Sequence, residues 1–195
     1  MILFYGDSNT YGYDPADWRD HRYPEEKRWT SILAGMIGDK TEVVCEGMNG
    51  RRLPDLRYDS ERIRKLAAKC SSKQDIFAVM LGTNDILSSM EPDAGPAVRR
   101  MDLLLDFLTT QLDPEQILVI APVPVGSPKV PDRLLRHFYA ESLRMNREFE
   151  RLALQYQTRF ADAGRWGVGL SFDMVHFSEE GHRQFADAMA NFLFE

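Results

Sequence analysis

The chain opens with MILFYGDSNTYG, residues 1–12, in which a short apolar run stops at Gly6, Asp7 and Ser8. An apolar run without polar alternation is typical of a strand that is covered on both faces of a sheet, and such strands belong to parallel sheets. Open parallel sheets bind their ligands outside the carboxyl ends of the strands. The sequence therefore places the Ser8 hydroxyl where a reacting group would face a cleft.

The rest of the chain alternates strand-like runs with helical patterns. The strand-like runs are Ile2–Tyr5, Glu42–Cys45, Ile76–Leu81, Ile117–Ala121 and a weaker one at Thr158–Asp162. The helical patterns are Trp29–Ile37, Ser60–Cys70, Ala94–Leu112, Leu134–Gln157 and Glu179–Phe194. This alternation requires parallel strands joined by helical crossovers, so we predict an α/β fold. Without a repeat or a low-complexity linker, residues 1–195 are expected to form one domain.

The composition favours a protein that acts on small molecules. The chain has 195 residues, 44% of them hydrophobic, and can bury a core without disulfides or metals, so we expect Cys45 and Cys70 to be free, buried thiols. A net charge of −6 without a Lys/Arg run argues against a nucleic-acid partner. No apolar stretch has the length of a membrane span and no leader pattern is evident, so we expect a cytoplasmic location, although a removed signal peptide would leave the same sequence. A homo-oligomer is compatible with the sequence.

A serine needs a base before it can act as a nucleophile, and His176 is the best-placed histidine. It stands in FDMVHFSEEGH, a loop-like stretch just before the last helix. Asp173 lies three residues earlier, close enough for its carboxylate to accept the imidazole Nδ1–H and leave Nε2 free for Ser8. Each signal is weak alone. Ser8 could be a turn former or helix cap, the Asp–His pair could merely pin a loop, and a metal site of Asp173, His176 and His182 is a less favoured option.

Donors for an oxyanion are available at the ends of two other strands. VMLGTND places Asn84 at the same sheet edge as Ser8, and CEGMNGRR places Gly47 and Gly50 there. Together with the Ser8 N–H, an Asn amide and a glycine N–H would supply three donors. The alternative is conformational, because Gly and Asn are common in strand-to-helix turns for reasons unrelated to catalysis.

These blocks, taken in order, resemble the SGNH or GDSL-type hydrolases, and the resemblance runs from Gly6 to His176. GDSN at Gly6–Asn9 and GTND at Gly82–Asp85 match two blocks, and DMVHFSEEGH matches the Asp-x-x-His block. The resemblance implies a flavodoxin-like three-layer sandwich with five parallel strands in the order 2-1-3-4-5. It also implies Ser8 as nucleophile, Asp173 and His176 as its partners, and Asn84 with a glycine N–H, preferably Gly50, in the oxyanion hole, with no metal or cofactor.

Within the family the similarity is greatest to the bacterial arylesterase and acyltransferase branch, which implies a serine esterase for short-chain, acetyl-like esters of small, aryl or carbohydrate alcohols. One rival is an acyltransferase that uses the same acyl-enzyme. Another is a flavodoxin-like module that binds phosphate or a nucleotide at the Gly6–Asn9 turn without catalysis. The similarity also suggests that Arg51, which follows Gly50, is a positioning or pocket residue, and the alternative is a salt bridge to Asp55 or Asp59.

Two long loops are candidate walls of the pocket, Asp14–Arg28 and Pro122–Arg133. In the first loop, Trp18, His21 and Tyr23 could stack on a sugar or an aromatic leaving group, or form a small surface cluster.

Overall fold

A computed structural model describes residues 1–17, 19 and 21–194. Its strands are β1 (Ile2–Gly6), β2 (Val43–Gly47), β3 (Ile76–Met80), β4 (Ile117–Ala121) and β5 (Arg159–Asp162). They are all parallel and form one sheet in the order β2-β1-β3-β4-β5. The predicted α/β class and the strand order 2-1-3-4-5 are confirmed.

The α-helices of the described residues are α1 (Ser8–Tyr11), α2 (Trp29–Ile37), α3 (Leu56–Ala67), α4 (Thr83–Leu87), α5 (Gly95–Thr109), α6 (Arg133–Tyr156) and α7 (Glu179–Phe194). Single turns of 3₁₀ helix occur at Glu25–Lys27, Gly38–Lys40, Pro114–Gln116 and Ala163–Arg165. The predicted bounds of α2 and α7 are correct. The sequence pattern missed α1 and α4, because four or five residues are too few to show a helical period. Helix α3 begins four residues earlier than predicted, because the Asp55 side chain caps it by accepting the Arg57 N–H.

Two apolar layers enclose the sheet because successive strand side chains point to opposite faces. Leu3 and Tyr5 contribute to the layer that packs against α3, α5 and α6. Ile2 and Phe4 contribute to the layer that packs against α2 and α7. Strands β1, β3 and β4 are buried throughout, which is why their sequences show no polar alternation.

Strand β2 lies at one edge of the sheet, and its residues are only partly covered. Cys45 on this strand is therefore exposed, and the expectation that both thiols are buried is wrong for Cys45 and correct for Cys70. Neither cysteine forms a disulfide. None of the helices in the described part of the chain is long and apolar enough to cross a membrane.

Candidate active site

The carboxyl edge of the sheet brings the candidate residues together. Gly6, the last residue of β1, pairs in register with Gly47 at the end of β2 and with Met80 at the end of β3. Ser8 begins α1 just beyond this level, and the buried Asp7 side chain caps the helix by accepting the Asn9 N–H at 3.0 Å. The three segments that follow these strands therefore leave the sheet at one place.

Ser8, His176 and Asp173 form a continuous chain of hydrogen bonds. Ser8 Oγ lies 3.0 Å from His176 Nε2, and His176 Nδ1 lies 2.6 Å from Asp173 Oδ2. Ser8 is 6% exposed, and the His176 side chain is 18% exposed. A hydroxyl, an imidazole and a carboxylate in this sequence can move a proton off the hydroxyl while the carboxylate fixes the imidazole tautomer.

A tight turn holds Asp173 and His176 within the segment of residues 171–178, which we call the histidine loop. Asp173 Oδ1 accepts the backbone N–H groups of Val175 and His176, each at 3.0 Å. Met174 has a φ of 58°, a left-handed conformation that is uncommon for a side chain of this kind. Its carbonyl accepts the Gly126 N–H at 2.9 Å, so the predicted wall loop Pro122–Arg133 contacts the turn.

The contacts of this turn set the charge of Asp173. Its partial burial raises the pKa of the carboxyl. The hydrogen bonds from the His176 ring and from the two backbone N–H groups together lower the pKa by more than burial raises it. The net pKa lies below the ordinary value of 3.8. Asp173 is therefore ionised at neutral pH, as a carboxylate that accepts the imidazole N–H must be.

The two candidate glycines, in the segment of residues 47–53 that we call the glycine loop, differ in their surroundings. A Cβ on Gly47 would collide with the backbone of Thr10 and Tyr11, so this glycine is required by the close approach of β2 to α1. Gly50 has a φ of 71° and open space around the position of a Cβ. No hydrogen bond within the described residues uses the Gly50 N–H. Gly50 therefore has the backbone N–H that is free to meet a ligand.

Asn84 and Asp85, at the start of α4, both hold the glycine loop. Asn84 Nδ2 donates to the Arg51 carbonyl at 3.0 Å. Asp85 Oδ2 accepts the Leu53 N–H at 3.0 Å, and its other oxygen pairs with Arg100 at 3.1 Å. Burial raises the pKa of Asp85, although the Leu53 N–H and Arg100 oppose that shift. The predicted donor Asn84 thus lies beside the residue that follows Gly50.

Arg51 is buried, and its side chain contacts backbone carbonyls and an aromatic ring instead of Asp55 or Asp59. Its Nη1 donates to the Gly6 carbonyl at 2.8 Å and to the Glu46 carbonyl, and its guanidinium lies 4.4 Å from the centre of the Tyr5 ring. Burial lowers the pKa of Arg51. This side chain therefore joins the ends of β1 and β2, at a point on β1 that is two residues before Ser8.

His182 lies behind the histidine loop in the apolar core. Its Nδ1 accepts the Trp29 N–H at 3.3 Å, and its ring packs edge-on against Tyr23 and Phe177. Burial lowers the pKa of this histidine from 6.5 to about 3. Within the described ranges, no group of three or more His, Cys, Asp or Glu side chains is arranged to hold a metal ion, so the alternative of a site with Asp173, His176 and His182 gains no support.

Aromatic side chains of the first long loop divide into two groups. His21 stacks on Tyr13, with ring centres 5.5 Å apart, and the centre of the Tyr13 ring also lies 4.4 Å from that of the His176 ring. Tyr23, by contrast, is buried against His182, so the suggestion that it stacks on a substrate is wrong. Trp18, the third aromatic candidate, lies outside the described residues.

Comparison with known proteins now identifies the family. The model of the GDSL-like lipase/acylhydrolase family matches residues 4–184, nearly the whole chain. The chain belongs to this family. The match spans the GDSN, GTND and Asp-x-x-His blocks, and it makes the protein a carboxylic ester hydrolase. No curated protein matches the chain at a significant level.

Solved structures of esterases share the fold over almost the full length. An aryl esterase of M. smegmatis is 25% identical with a TM-score of 0.80, and a putative arylesterase from Agrobacterium tumefaciens is 28% identical with a TM-score of 0.78. A carbohydrate acetylesterase from Sinorhizobium meliloti is 26% identical with a TM-score of 0.75. Each comparison covers 98% of this chain and 97% of the other. The predicted resemblance to SGNH hydrolases is confirmed.

The sequence did not predict three side chains that contact the candidate active site of this GDSL-like protein. These are the Asn9 side chain, which contacts the histidine loop, the Asp85 carboxylate, which contacts the glycine loop, and the Tyr13 ring, which covers His176. GDSN and GTND contain the first two, but as turn formers they gave no sign of which distant backbone groups they would meet.

Proposed function

We propose that the protein is a serine esterase that hydrolyses short-chain, acetyl-like esters of small, aryl or carbohydrate alcohols through an acyl-Ser8 intermediate. The observation that carries this proposal is the unbroken chain of hydrogen bonds from Ser8 Oγ through His176 to Asp173, with lengths of 3.0 and 2.6 Å. A serine that hydrogen-bonds to an imidazole, itself oriented by a carboxylate, is the arrangement of an activated nucleophile.

The reaction begins when Ser8 Oγ attacks the ester carbonyl while His176 Nε2 accepts the hydroxyl proton. The carbonyl oxygen becomes an oxyanion, and the tetrahedral intermediate collapses as His176 protonates the departing alcohol. Water then attacks the acyl-Ser8 ester and loses a proton to His176, which passes it to Ser8 Oγ as the C–Oγ bond breaks and the carboxylic acid leaves. Asp173 remains ionised throughout and stabilises the imidazolium that forms in each half-reaction.

Three donors are proposed for the oxyanion: the N–H groups of Ser8 and Gly50 and the side-chain amide of Asn84. An Asn amide carries two hydrogens. One Asn84 hydrogen is used by the Arg51 carbonyl, which leaves the other for the substrate. The exposed Gly50 N–H has no partner among the described residues. These contacts support Gly50 over Gly47, whose place is explained by packing.

The nature of the substrate rests on the neighbours and on the aromatic rings near His176. Two of the similar structures are named arylesterases and one is named a carbohydrate acetylesterase. Tyr13 lies 4.4 Å from the His176 ring and stacks on His21, so two further aromatic rings lie close to the proposed base. An aryl group or a sugar ring of the alcohol would stack on these aromatic side chains.

The experiment compares hydrolysis of p-nitrophenyl acetate, butyrate and octanoate by the wild type, Ser8→Ala and Ser31→Ala, with folding checked by circular dichroism. Ser31, a partly buried serine on α2, is the matched control. We expect the wild type and Ser31→Ala to favour the acetate ester and Ser8→Ala to be inactive but folded. A fluorophosphonate should label Ser8 in the wild type and in Ser31→Ala.

Product analysis with added alcohol separates hydrolysis from acyl transfer, which would yield a new ester in place of the acid. Activity that survives in folded Ser8→Ala would contradict the proposal. A wild type that neither hydrolyses any of the three esters nor reacts with the fluorophosphonate would also contradict it.

A further inference from the structure

Asn9, the residue after the proposed nucleophile, is buried, and every one of its polar groups has a partner. Its side-chain Oδ1 accepts the Phe177 N–H at 2.8 Å, and its Nδ2 donates to the Val175 carbonyl at 3.1 Å. Its backbone N–H donates to Asp7, and its carbonyl accepts the Trp29 indole N–H at 2.9 Å. A buried amide whose oxygen and nitrogen both have hydrogen-bond partners holds a single orientation.

The two side-chain contacts of Asn9 enclose His176 from both sides along the backbone. Val175 precedes His176 and Phe177 follows it, so one side-chain amide hydrogen-bonds to the backbone on either side of the histidine. Ser8 and Asn9 are consecutive in α1. The side chain of Asn9 therefore fixes the backbone of His176 relative to the helix that carries Ser8.

The Asp173 contact cannot provide this fixation. Asp173 and His176 belong to the same tight turn, so their hydrogen bond would move with the turn if the histidine loop shifted. The contact between His176 Nε2 and Ser8 Oγ instead joins segments that are 168 residues apart. Its length depends on what ties the two segments together.

We propose that Asn9 is a positioning residue, which holds His176 Nε2 at hydrogen-bond distance from Ser8 Oγ. The inference rests on the proposed function, because it concerns how the proposed base meets the proposed nucleophile. The first block of this chain reads GDSN where many members of the family read GDSL, and the inference gives Asn9 at this position a physical role. Leucine at this position would offer no donor or acceptor, and the Val175 carbonyl and the Phe177 N–H would lose their partners.

The test uses Asn9→Leu and Asn9→Ala in the full chain. Leucine has a similar size, and alanine leaves room for water to satisfy the released backbone groups without tying the loop to α1. Gln116→Leu is the control. Gln116 is also buried, and its amide also donates to backbone carbonyls, those of Ser72 and Asp75, but it lies just before β4, at the opposite end of the sheet from Ser8.

We expect kcat for p-nitrophenyl acetate to fall by about 10- to 100-fold in both Asn9 variants, because a misplacement of about 1 Å can cost that much. KM should stay within about threefold of the wild type, since the ester-binding groups are unchanged. The rate of fluorophosphonate labelling at Ser8 should fall in parallel with kcat. The low-field proton NMR signal of the His176 Nδ1–H should persist, because the bond to Asp173 remains. Gln116→Leu should lose stability but keep its kcat.

A folded Asn9→Leu or Asn9→Ala protein with kcat within about twofold of the wild type would overturn the proposal. So would a loss of the low-field signal in both Asn9 variants, since the defect would then lie in the Asp173 contact, or an equal loss of kcat in Gln116→Leu. Failure of the proposed function is a different result, because the wild type itself would then neither hydrolyse the esters nor react at Ser8.

Discussion

The histidine loop and the glycine loop flank Ser8, but they are held by different kinds of contact. Neutral groups hold the histidine loop in place: the Asn9 amide and the Gly126 N–H. The glycine loop is held by the neutral Asn84 amide and also by two buried ionisable groups, the Arg51 guanidinium and the Asp85 carboxylate, the latter paired with Arg100. Removing one member of a buried charged pair leaves an uncompensated charge, whereas removing a neutral amide leaves only neutral backbone groups without a partner, which costs less. Substitutions in the histidine loop should therefore alter the reaction more than the stability, and those at the glycine loop should alter both.

The largest expected effect is that of Asp173→Asn in the histidine loop. Asparagine can still accept the Val175 and His176 N–H groups through Oδ1, so the turn should survive. Its NH₂ group would face His176 Nδ1 and force the proton onto Nε2, which could no longer accept the Ser8 proton. By analogy with other serine hydrolases, kcat should fall by about 10⁴-fold.

Ester hydrolysis assays and urea unfolding of Asp173→Asn check both halves of this prediction. A variant as active as the wild type would remove Asp173 from the proposed mechanism. A variant that loses activity only because it unfolds would break the contrast between the two loops.

Asn84→Ala should give the next largest effect and should act on the reaction and the stability together. Loss of one oxyanion donor costs about 10²- to 10³-fold in kcat in comparable enzymes. The Arg51 carbonyl would also lose its donor, which should lower the free energy of unfolding by about 1 kcal/mol. Steady-state kinetics and urea unfolding measure the two losses. Full kcat in the folded variant would exclude Asn84 from the oxyanion site.

Asp85→Ala should destabilise the protein and have a smaller effect on the reaction. The Leu53 N–H would lose its acceptor and Arg100 its partner, so the free energy of unfolding should fall by about 1–3 kcal/mol. Glu148→Ala is the control, since it removes a carboxylate from an exposed pair with Arg151 and should cost less than about 1 kcal/mol. Urea unfolding measures both losses. Equal losses in the two variants would show that the buried Asp85 pair contributes no more to the free energy of unfolding than the exposed Glu148 pair.

The sequence was informative where the pattern depends on burial or on neighbours in the chain. The apolar runs that became β1, β3 and β4 could be recognised because both faces of these strands are covered. Ser8 could be placed because it follows such a run directly. The pairing of Asp173 with His176 needs only a single tight turn, so their spacing was enough to predict it.

Contacts between distant segments could not be predicted in the same way. The side chain of Asn9 hydrogen-bonds to residues more than 160 positions away. Nothing in GDSN distinguishes a residue that caps a helix from one that binds a remote loop. The sequence suggested that Tyr23 stacks on a substrate or joins a surface cluster, yet tertiary packing places its ring against His182. Cys45 shows the opposite error, since an apolar run was read as buried although its strand forms the edge of the sheet.

The comparison between the loops extends to two buried titratable groups behind them. Asp7, which caps α1, interacts with Arg51 of the glycine loop, and burial raises its pKa from 3.8 to about 7, although the Asn9 N–H and Arg51 oppose that shift. The folded protein therefore holds this proton between about pH 4 and 7, where the unfolded chain has released it. Stability from this group is present at low pH and falls as pH rises through the window, by up to about 1.4 kcal/mol per pH unit.

His182, behind the histidine loop, should act with the opposite sign. Burial lowers its pKa from 6.5 to about 3, so between these values the unfolded chain binds a proton that the folded protein does not. Stability from this group is lost as pH falls, again by up to about 1.4 kcal/mol per pH unit. Between about pH 4 and 6.5 the two contributions to the pH dependence of stability therefore cancel in the wild type. A variant that lacks one group should show the pH dependence that the other group causes.

Relative to the wild type, the stability of Asp7→Asn should rise with pH, and that of His182→Gln should fall with pH. Both replacements keep an acceptor, for the Asn9 N–H and the Trp29 N–H respectively, so the difference reports on charge. Urea unfolding at about pH 4.5, 5.5 and 6.5 measures the slopes. Parallel profiles for the two variants would contradict the assignment of opposite charge behaviour to the two sides of the site.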